Sequence, residues 1–303
     1  MAFSDLLSAS TPRACVAFLN STTDQSQEDR SWRSDPLGME LFIRGNPDSL
    51  QEPVWFVPPL AGMSWGYAPL RNFIDSPHSL IGLQAHNLNG QVKAVVDFSE
   101  LVSDWADLIV RRATDAPVHL VGWSFGGAVA HGIAAELQRR GREVGLLALL
   151  DAYPRAEWGS QAPTRAETFR SALGMLGVDI DLERAAVLTD EEAGRLLSEA
   201  NPLLSGLTQF DPKCMVDNFH AGPKLEASAK RQTYRGNMLF FEAARSSHRL
   251  AIDWRSWLPY VDGHIRHVTV DSTHQDMLSL DTISVIGPQI NAELHRLAAE
   301  QEL

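Results

Sequence analysis

A serine on a glycine-flanked turn, a histidine able to take its proton and a carboxylate able to hold that histidine would together perform nucleophilic acyl transfer, and this chain carries all three. Gly122-Trp123-Ser124-Phe125-Gly126 has the G-x-S-x-G spacing. The apolar run Val118-His119-Leu120-Val121 stands directly before it, and an apolar-periodic stretch ending at Gly141 follows. The serine therefore falls at a strand-to-helix turn. Glycines relieve crowding there, the hydroxyl projects beyond the sheet, and the first amides of the helix have no partner within it.

A serine hydroxyl is a weak nucleophile, so it needs a base, and the base needs a carboxylate to fix its tautomer. In open α/β sheets such groups lie beyond the carboxyl ends of the strands, in the chain order Ser, acid, His. Ten histidines compete. His119 and His131 precede any suitable acid, and His264 lies before a strand with His267 inside it. His220 falls in a helical segment, His248 in a loop and His295 in the last helix. His274, in Asp271-Ser272-Thr273-His274-Gln275-Asp276, directly follows a strand and is the expected base. Two acids compete: Asp151, after Val144 to Leu150, and Glu242, after Met238 to Phe241. An aspartate after so apolar a run needs a partner or water, and either carboxylate could instead cap a helix or close a turn; Asp151 is preferred. A tetrahedral intermediate also needs two backbone donors. Phe125 N–H, just after the serine, supplies one. Leu60 N–H, in the turn Val57-Pro58-Pro59-Leu60-Ala61-Gly62, is expected to supply the other.

These residues need a sheet to position them. From Pro53 onward short apolar runs alternate with longer amphipathic stretches, the pattern of an α/β fold with a mostly parallel, doubly wound sheet. Expected strands are Val54 to Val57, Leu80 to Leu83, Val118 to Val121, Val144 to Leu150, Met238 to Phe241 and Ile265 to Val270. Expected helices are Phe98 to Ala113, Phe125 to Arg140 and Pro288 to Glu300. Residues 38–154 and 236–303 thus form the core.

Residues 155–235 read as helix only, a lid inserted into that core. Thr164 with Glu167, and Thr189 with Glu192, have the capping-box spacing. The first heads a stripe of Phe169, Ala172, Leu173 and Leu176; the second heads Ala193, Leu196, Leu197 and Ala200. Leu173, Leu176 and Leu197 are expected to line the lid over Ser124. A third helix falls within Phe210 to Lys230, with Gly222-Pro223 expected to bend or break it. Gly174, Gly177, Gly194, Gly206 and Gly222 are expected to let the lid move.

Composition narrows the function further. The chain has 303 residues, 44% hydrophobic and 21% charged, the proportions of a globular protein. A formal charge of -12 without a basic patch argues against nucleic acid as a partner. Cys15 and Cys214 lie far apart with no CxxC spacing, which suggests no metal cluster and a reducing, cytoplasmic setting. No apolar stretch approaches the roughly 18 residues of a membrane span. Residues 1–37 read as an N-terminal segment, with Leu6, Leu7, Val16, Phe18 and Leu19 in a short helix and a polar linker over 20–36.

Val118 to Tyr153, reading VHLVGWSFGGAVAHGIAAELQRRGREVGLLALLDAY, resembles the chain-terminating thioesterase domains of nonribosomal peptide and polyketide synthases. VWFVPPLAGMSWGYAPL, LIGLQAHNLNG and STHQDML are similar to their counterparts there, so the likeness covers most of residues 53–280. It implies an α/β-hydrolase fold with a helical lid after Asp151. Ser124 would be the nucleophile, Asp151 the acid and His274 the base, with the amides of Leu60 and Phe125 as oxyanion hole. The implied substrate is an acyl or peptidyl chain thioesterified to the phosphopantetheine arm of a carrier protein, released by hydrolysis or macrocyclisation. No bound cofactor or metal is implied. Pro58 stands where many members have histidine, a variant also found among peptide-cyclising members. Two other readings stay open: a freestanding esterase or acyltransferase on the same fold, and a catalytically silent binding module.

Overall fold

Alternation along the short apolar runs sends successive side chains to opposite faces of one sheet, and both faces are covered. The computed structural model describes residues 37–45, 51–88, 90, 94–112, 114–154, 164–175, 179–200, 213–245 and 253–301. The expectations for residues 1–36, Leu176, Gly177, Gly206 and His248 fall outside these, as do the side chains of Ala172, Leu197 and Ala200.

Nine strands are present among the described residues: β1 Glu40–Arg44, β2 Val54–Val57, β3 Leu80–Leu83, β4 Val118–Trp123, β5 Val144–Leu150, β6 Tyr234–Arg235, β7 Met238–Ala243, β8 Val261–Asp262 and β9 Ile265–Val270. Seven of them form the main sheet in the order β1-β3-β2-β4-β5-β7-β9. β1 runs antiparallel to β3, and every other pairing in the sheet is parallel. β1 is half-buried along its length, and its apolar run, Leu41-Phe42-Ile43, is only three residues between two charged ones, too short to stand out as a strand in the sequence pattern.

Helices α1 Phe98–Arg112 and α2 Phe125–Arg139 cover one face. There Trp55, Val57, Leu120, Leu147 and Leu149 pack with Leu101, Trp105, Ile109, Val129 and Ile133. The opposite face presents Val54, Phe56, Val121, Leu146 and Leu150, which meet Tyr67 and Leu70 of a 3-10 segment. It also receives helix α7, Leu280–Gln301, through Ile283, Ile286, Ile290 and Leu294. α7 begins eight residues before the expected start at Pro288 and takes that proline into its interior. An interior proline costs about 3 kcal/mol, and the four buried aliphatic side chains, at about 1.5–3 kcal/mol each, outweigh it.

Between β5 and β6 the described elements are helical: α3 Arg165–Met175, α4 Leu182–Val187, α5 Asp190–Ala200 and α6 Lys213–Ser228. Both capping boxes form. Thr164 N–H donates to Glu167 at 2.7 Å and Thr189 N–H to Glu192 at 3.0 Å. Phe169, Leu173, Met215, Val216 and Phe219 make a small core of their own, which reaches Met63 beside the Pro58-Pro59 turn.

Two expectations about this segment are corrected. α6 continues through Gly222-Pro223 without a break, with Met215, Val216, Phe219 and Leu225 buried along it. Gly222 also serves contact, because a Cβ there would sit 2.1 Å from Leu60 Cδ1, so the glycine lets α6 lie against the turn after β2. The segment moreover ends before residue 235. Tyr234–Arg235 pairs with Val261–Asp262, and Arg235 N–H donates to Gln138 of α2 at 2.9 Å, which places β6 with the core.

Candidate active site

β4 lies in the middle of the sheet, and Ser124 is the first residue beyond its carboxyl end. Its backbone has φ 56° and ψ −128°, a conformation that side-chain-bearing residues avoid. Among the described non-glycine residues, Ser124 and Asp151 are the two with positive φ, Asp151 at 45°. Such geometry costs about 1–3 kcal/mol each and persists where neighbours over-determine it. Here Ser124 N–H donates to Leu150 O at 3.0 Å, and Asp151 N–H donates to Phe241 O at 2.7 Å. Each turn is thereby locked to the end of the next strand. Gly126 completes the turn, since a Cβ on it would lie 2.3 Å from Val57 O.

His274 follows β9 and heads a short 3-10 turn, Gln275–Leu278. Its Nε2 lies 2.8 Å from Ser124 Oγ, and its Nδ1 lies 2.7 Å from Asp151 Oδ2. Asp151 is buried, with a side chain only 2% exposed against 28% for His274. A buried carboxylate accepting Nδ1–H fixes the tautomer, leaving the Nε2 lone pair directed at the serine hydroxyl. The other carboxylate oxygen accepts Ala243 N–H at 3.0 Å and the Tyr153 hydroxyl at 3.0 Å. The arrangement can move the Ser124 proton to His274 as Oγ attacks a carbonyl carbon.

Leu60 lies in a turn closed by Gly62 N–H donating to Pro59 O at 2.8 Å. Asn218 of α6 donates to Ala61 O at 3.3 Å. Among the described residues, neither Leu60 N–H nor Phe125 N–H donates a hydrogen bond. A small apolar cavity touches both residues and is walled by Leu101, Trp105, Ala221 and Leu225. Leu173 is fully buried inside the core of the helical segment and does not line that cavity.

Glu242, the competing acid, lies within β7, which runs two residues past its expected end. Its hydrogen bonds go to His267 Nε2 at 2.8 Å and to the Tyr153 hydroxyl at 3.3 Å. Two positioning residues escape sequence reasoning. Trp123 Nε1–H donates to His274 O at 3.1 Å, with its ring 5.5 Å from the imidazole. Tyr67 accepts Trp123 N–H at 2.7 Å and donates to Val57 O at 2.8 Å. Trp123 fills an unspecified position of the G-x-S-x-G motif and Tyr67 lies downstream of the Pro58-Pro59 turn, and only the tertiary contacts reveal what either side chain does.

A mostly parallel sheet flanked by helices, with a serine on the turn after its central strand, defines an α/β-hydrolase of the serine type. Residues 52–290 match the thioesterase domain family, and the chain belongs to that family. It is 30% identical over 263 residues to a dimodular nonribosomal peptide synthase of Bacillus subtilis (strain 168), covering 86% of this chain and 11% of that protein. It is 27% identical over 281 residues to enterobactin synthase component F of Escherichia coli (strain K12), covering 91% and 20%. This chain thus spans a small fraction of the curated relatives it matches. The Vlm2 thioesterase domain shares the fold, with a TM-score of 0.64 at 21% identity over 85% of this chain and 98% of that one. So does holo-AB3403, a four-domain nonribosomal peptide synthetase bound to AMP and glycine, with a TM-score of 0.71 at 16% identity over 84% and 20%. Among the described residues, no helix is long and apolar enough to cross a membrane.

Proposed function

We propose that this thioesterase releases an acyl or peptidyl chain from the phosphopantetheine arm of a carrier protein through an acyl-Ser124 intermediate. The observation that carries the reading is the continuous Ser124–His274–Asp151 hydrogen-bond chain, at 2.8 and 2.7 Å, on the carboxyl side of the sheet. His274 takes the Ser124 proton while Oγ attacks the thioester carbonyl. The amides of Leu60 and Phe125 stabilise the oxyanion, and the carrier thiol departs with the proton from His274. Water or a nucleophile of the chain itself then attacks the acyl-serine, with His274 again as base. The chemistry needs no cofactor beyond the arm that presents the substrate. Helices α3 to α6 act as the lid over this step, their apolar core, Leu173 included, keeping them docked on the Leu60 turn.

The carrier partner rests on relatives such as the dimodular nonribosomal peptide synthase, which this chain matches over 11% of that protein's length. A cytoplasmic setting rests on the sparse, distant cysteines. The test is intact-mass analysis with carrier-bound thioesters and with simple esters of the same acyl group. The expected result is an acyl adduct on Ser124 and faster turnover of the carrier-bound form. Preference for the simple ester would favour a freestanding esterase. No adduct from either substrate or from a fluorophosphonate would favour a silent binding module.

A further inference from the structure

The buried side of the triad carries a second set of polar groups that acyl transfer does not require. Asp151 is held at both oxygens: Oδ2 takes His274 Nδ1–H, while Oδ1 takes Ala243 N–H and the Tyr153 hydroxyl. The same hydroxyl lies 3.3 Å from Glu242 Oε1, and Glu242 Oε2 accepts His267 Nε2–H at 2.8 Å. The Trp254 ring stacks on His267 at 5.4 Å and 22°. Three strands contribute to this cluster, with Asp151 after β5, Glu242 in β7 and His267 in β9.

The Tyr153 hydroxyl has a single proton and two carboxylates facing it. It lies nearer to Asp151, and His267 already satisfies the far oxygen of Glu242. Burial, followed by the charges of Asp151 and Glu242, pushes the phenol far above its ordinary range, so it stays protonated and remains a donor. Its ring packs edge-on against Phe240 at 5.4 Å. Its backbone is tied down by Trp257 Nε1–H, which donates to Ala152 O at 2.7 Å. Little freedom is left to the hydroxyl except the choice of acceptor.

We infer that Tyr153 is a positioning residue for the triad: its hydroxyl pins Asp151 Oδ1 so that Oδ2 meets His274, and the Glu242–His267 pair fixes Tyr153 from behind. This rests on the triad reading above. It assigns Glu242 a supporting role in place of the acid role for which its sequence position also qualified it.

The test is a double-mutant cycle on the whole chain. A hydrogen bond to a buried charge supports about a tenfold effect, so Tyr153→Phe is expected to lower kcat for Ser124 acylation about tenfold with KM little changed. The acid limb of the pH–rate profile moves to higher pH, because an Asp151 charge no longer shared with the phenol holds the His274 proton more tightly. The NMR resonance of His274 Nδ1–H moves with it. Adding Tyr153→Phe to Asp151→Asn costs nothing further, since Tyr153 acts through Asp151. Tyr234→Phe, which removes a hydroxyl from another buried tyrosine that bonds neither carboxylate, leaves profile and resonance unchanged. Should Tyr153→Phe fold poorly, a fluorotyrosine at 153 keeps the ring and alters only the acidity of the donor, and the same limb must shift. Additive losses in the cycle, or a wild-type kcat, limb and resonance in folded Tyr153→Phe, overturn the proposal. Wild-type turnover by Ser124→Ala would instead overturn the triad reading, whereas the Nδ1–H resonance reports on Tyr153 without any turnover.

Discussion

The Tyr67 hydroxyl accepts the Trp123 amide proton at 2.7 Å, and so ties the end of the nucleophile strand to the start of the Pro58-Pro59 turn, whose Val57 carbonyl takes the hydroxyl's own proton at 2.8 Å. One fully buried side chain thus sets the spacing between the turn that carries Ser124 and the turn that carries Leu60.

Tyr67→Phe leaves a buried N–H and a buried C=O without their partner. The expected loss is about 1–3 kcal/mol for each group left unsatisfied, read from the urea midpoint. Turnover is expected to fall with it, because the two amides proposed as oxyanion donors belong to the two turns that Tyr67 joins. An unchanged midpoint would show that water replaces the hydroxyl.

Ser124→Ala is expected to abolish acyl-enzyme formation and to lower turnover by about four to six orders of magnitude. Asp151→Asn, which presents the wrong hydrogen-bonding group to His274, is expected to cost on the order of 10⁴. Glu242→Gln should cost far less, its bonds going to His267 and Tyr153. Single-turnover acylation measures all three, and a crippled Glu242→Gln beside an active Asp151→Asn would reverse the assignment of the acid.

Two buried histidines make the fold acid-sensitive. Burial pushes His131 down to about 4 and His119 to about 3, against about 6.5 in the unfolded chain. Their contribution to stability is complete above about pH 6.5 and is lost as pH falls toward 4 and 3, where only the unfolded state gains protons. Each is worth about 1.4 kcal/mol per pH unit across its window. Urea unfolding between pH 8 and 4 should show the decline, and His131→Gln, which keeps a donor for the Tyr260 carbonyl, should remove about half of the histidine part of the slope. An undiminished slope in that variant would place the acid sensitivity elsewhere.

Leu173 tests the lid. It is fully buried among Phe169, Met215 and Phe219, so Leu173→Ser should weaken the helical segment by about 2–5 kcal/mol, as cavity-forming changes do, without touching Ser124. Fluorophosphonate labelling of Ser124 is expected to persist while products shift toward the free acid. If the parent enzyme only hydrolyses, chain-length preference should change instead. Unchanged products and preferences in a folded Leu173→Ser protein would show that these helices do not govern the second half of the reaction.

Local signals in the sequence carry much of the site. Gly122 to Gly126 between a short run and an amphipathic stretch determines a strand, a strained turn and a helix, because a strand buried on both faces passes there, within a few residues, into a helix buried along one stripe. Loop position after Ile265–Val270 likewise picks out His274, and position after Val144–Leu150 makes Asp151 one of two candidate acids, since groups at strand ends share one edge of a parallel sheet. The boundaries of α6 and α7 were not legible. Proline and glycine in isolation argue for a break, and only burial against the core, around Leu225 in α6 and Ile290 in α7, outweighs them. The roles of Tyr67, Trp123 and Tyr153 were equally hidden, because a tyrosine or tryptophan reads as core until its polar atom finds a partner. Glu242 and Asp151 both stand at the carboxyl edge of the sheet. Which of them serves His274 was decided by the left-handed backbone at Asp151 and by the bond between Glu242 and His267, both of which exist only once β5, β7 and β9 lie side by side.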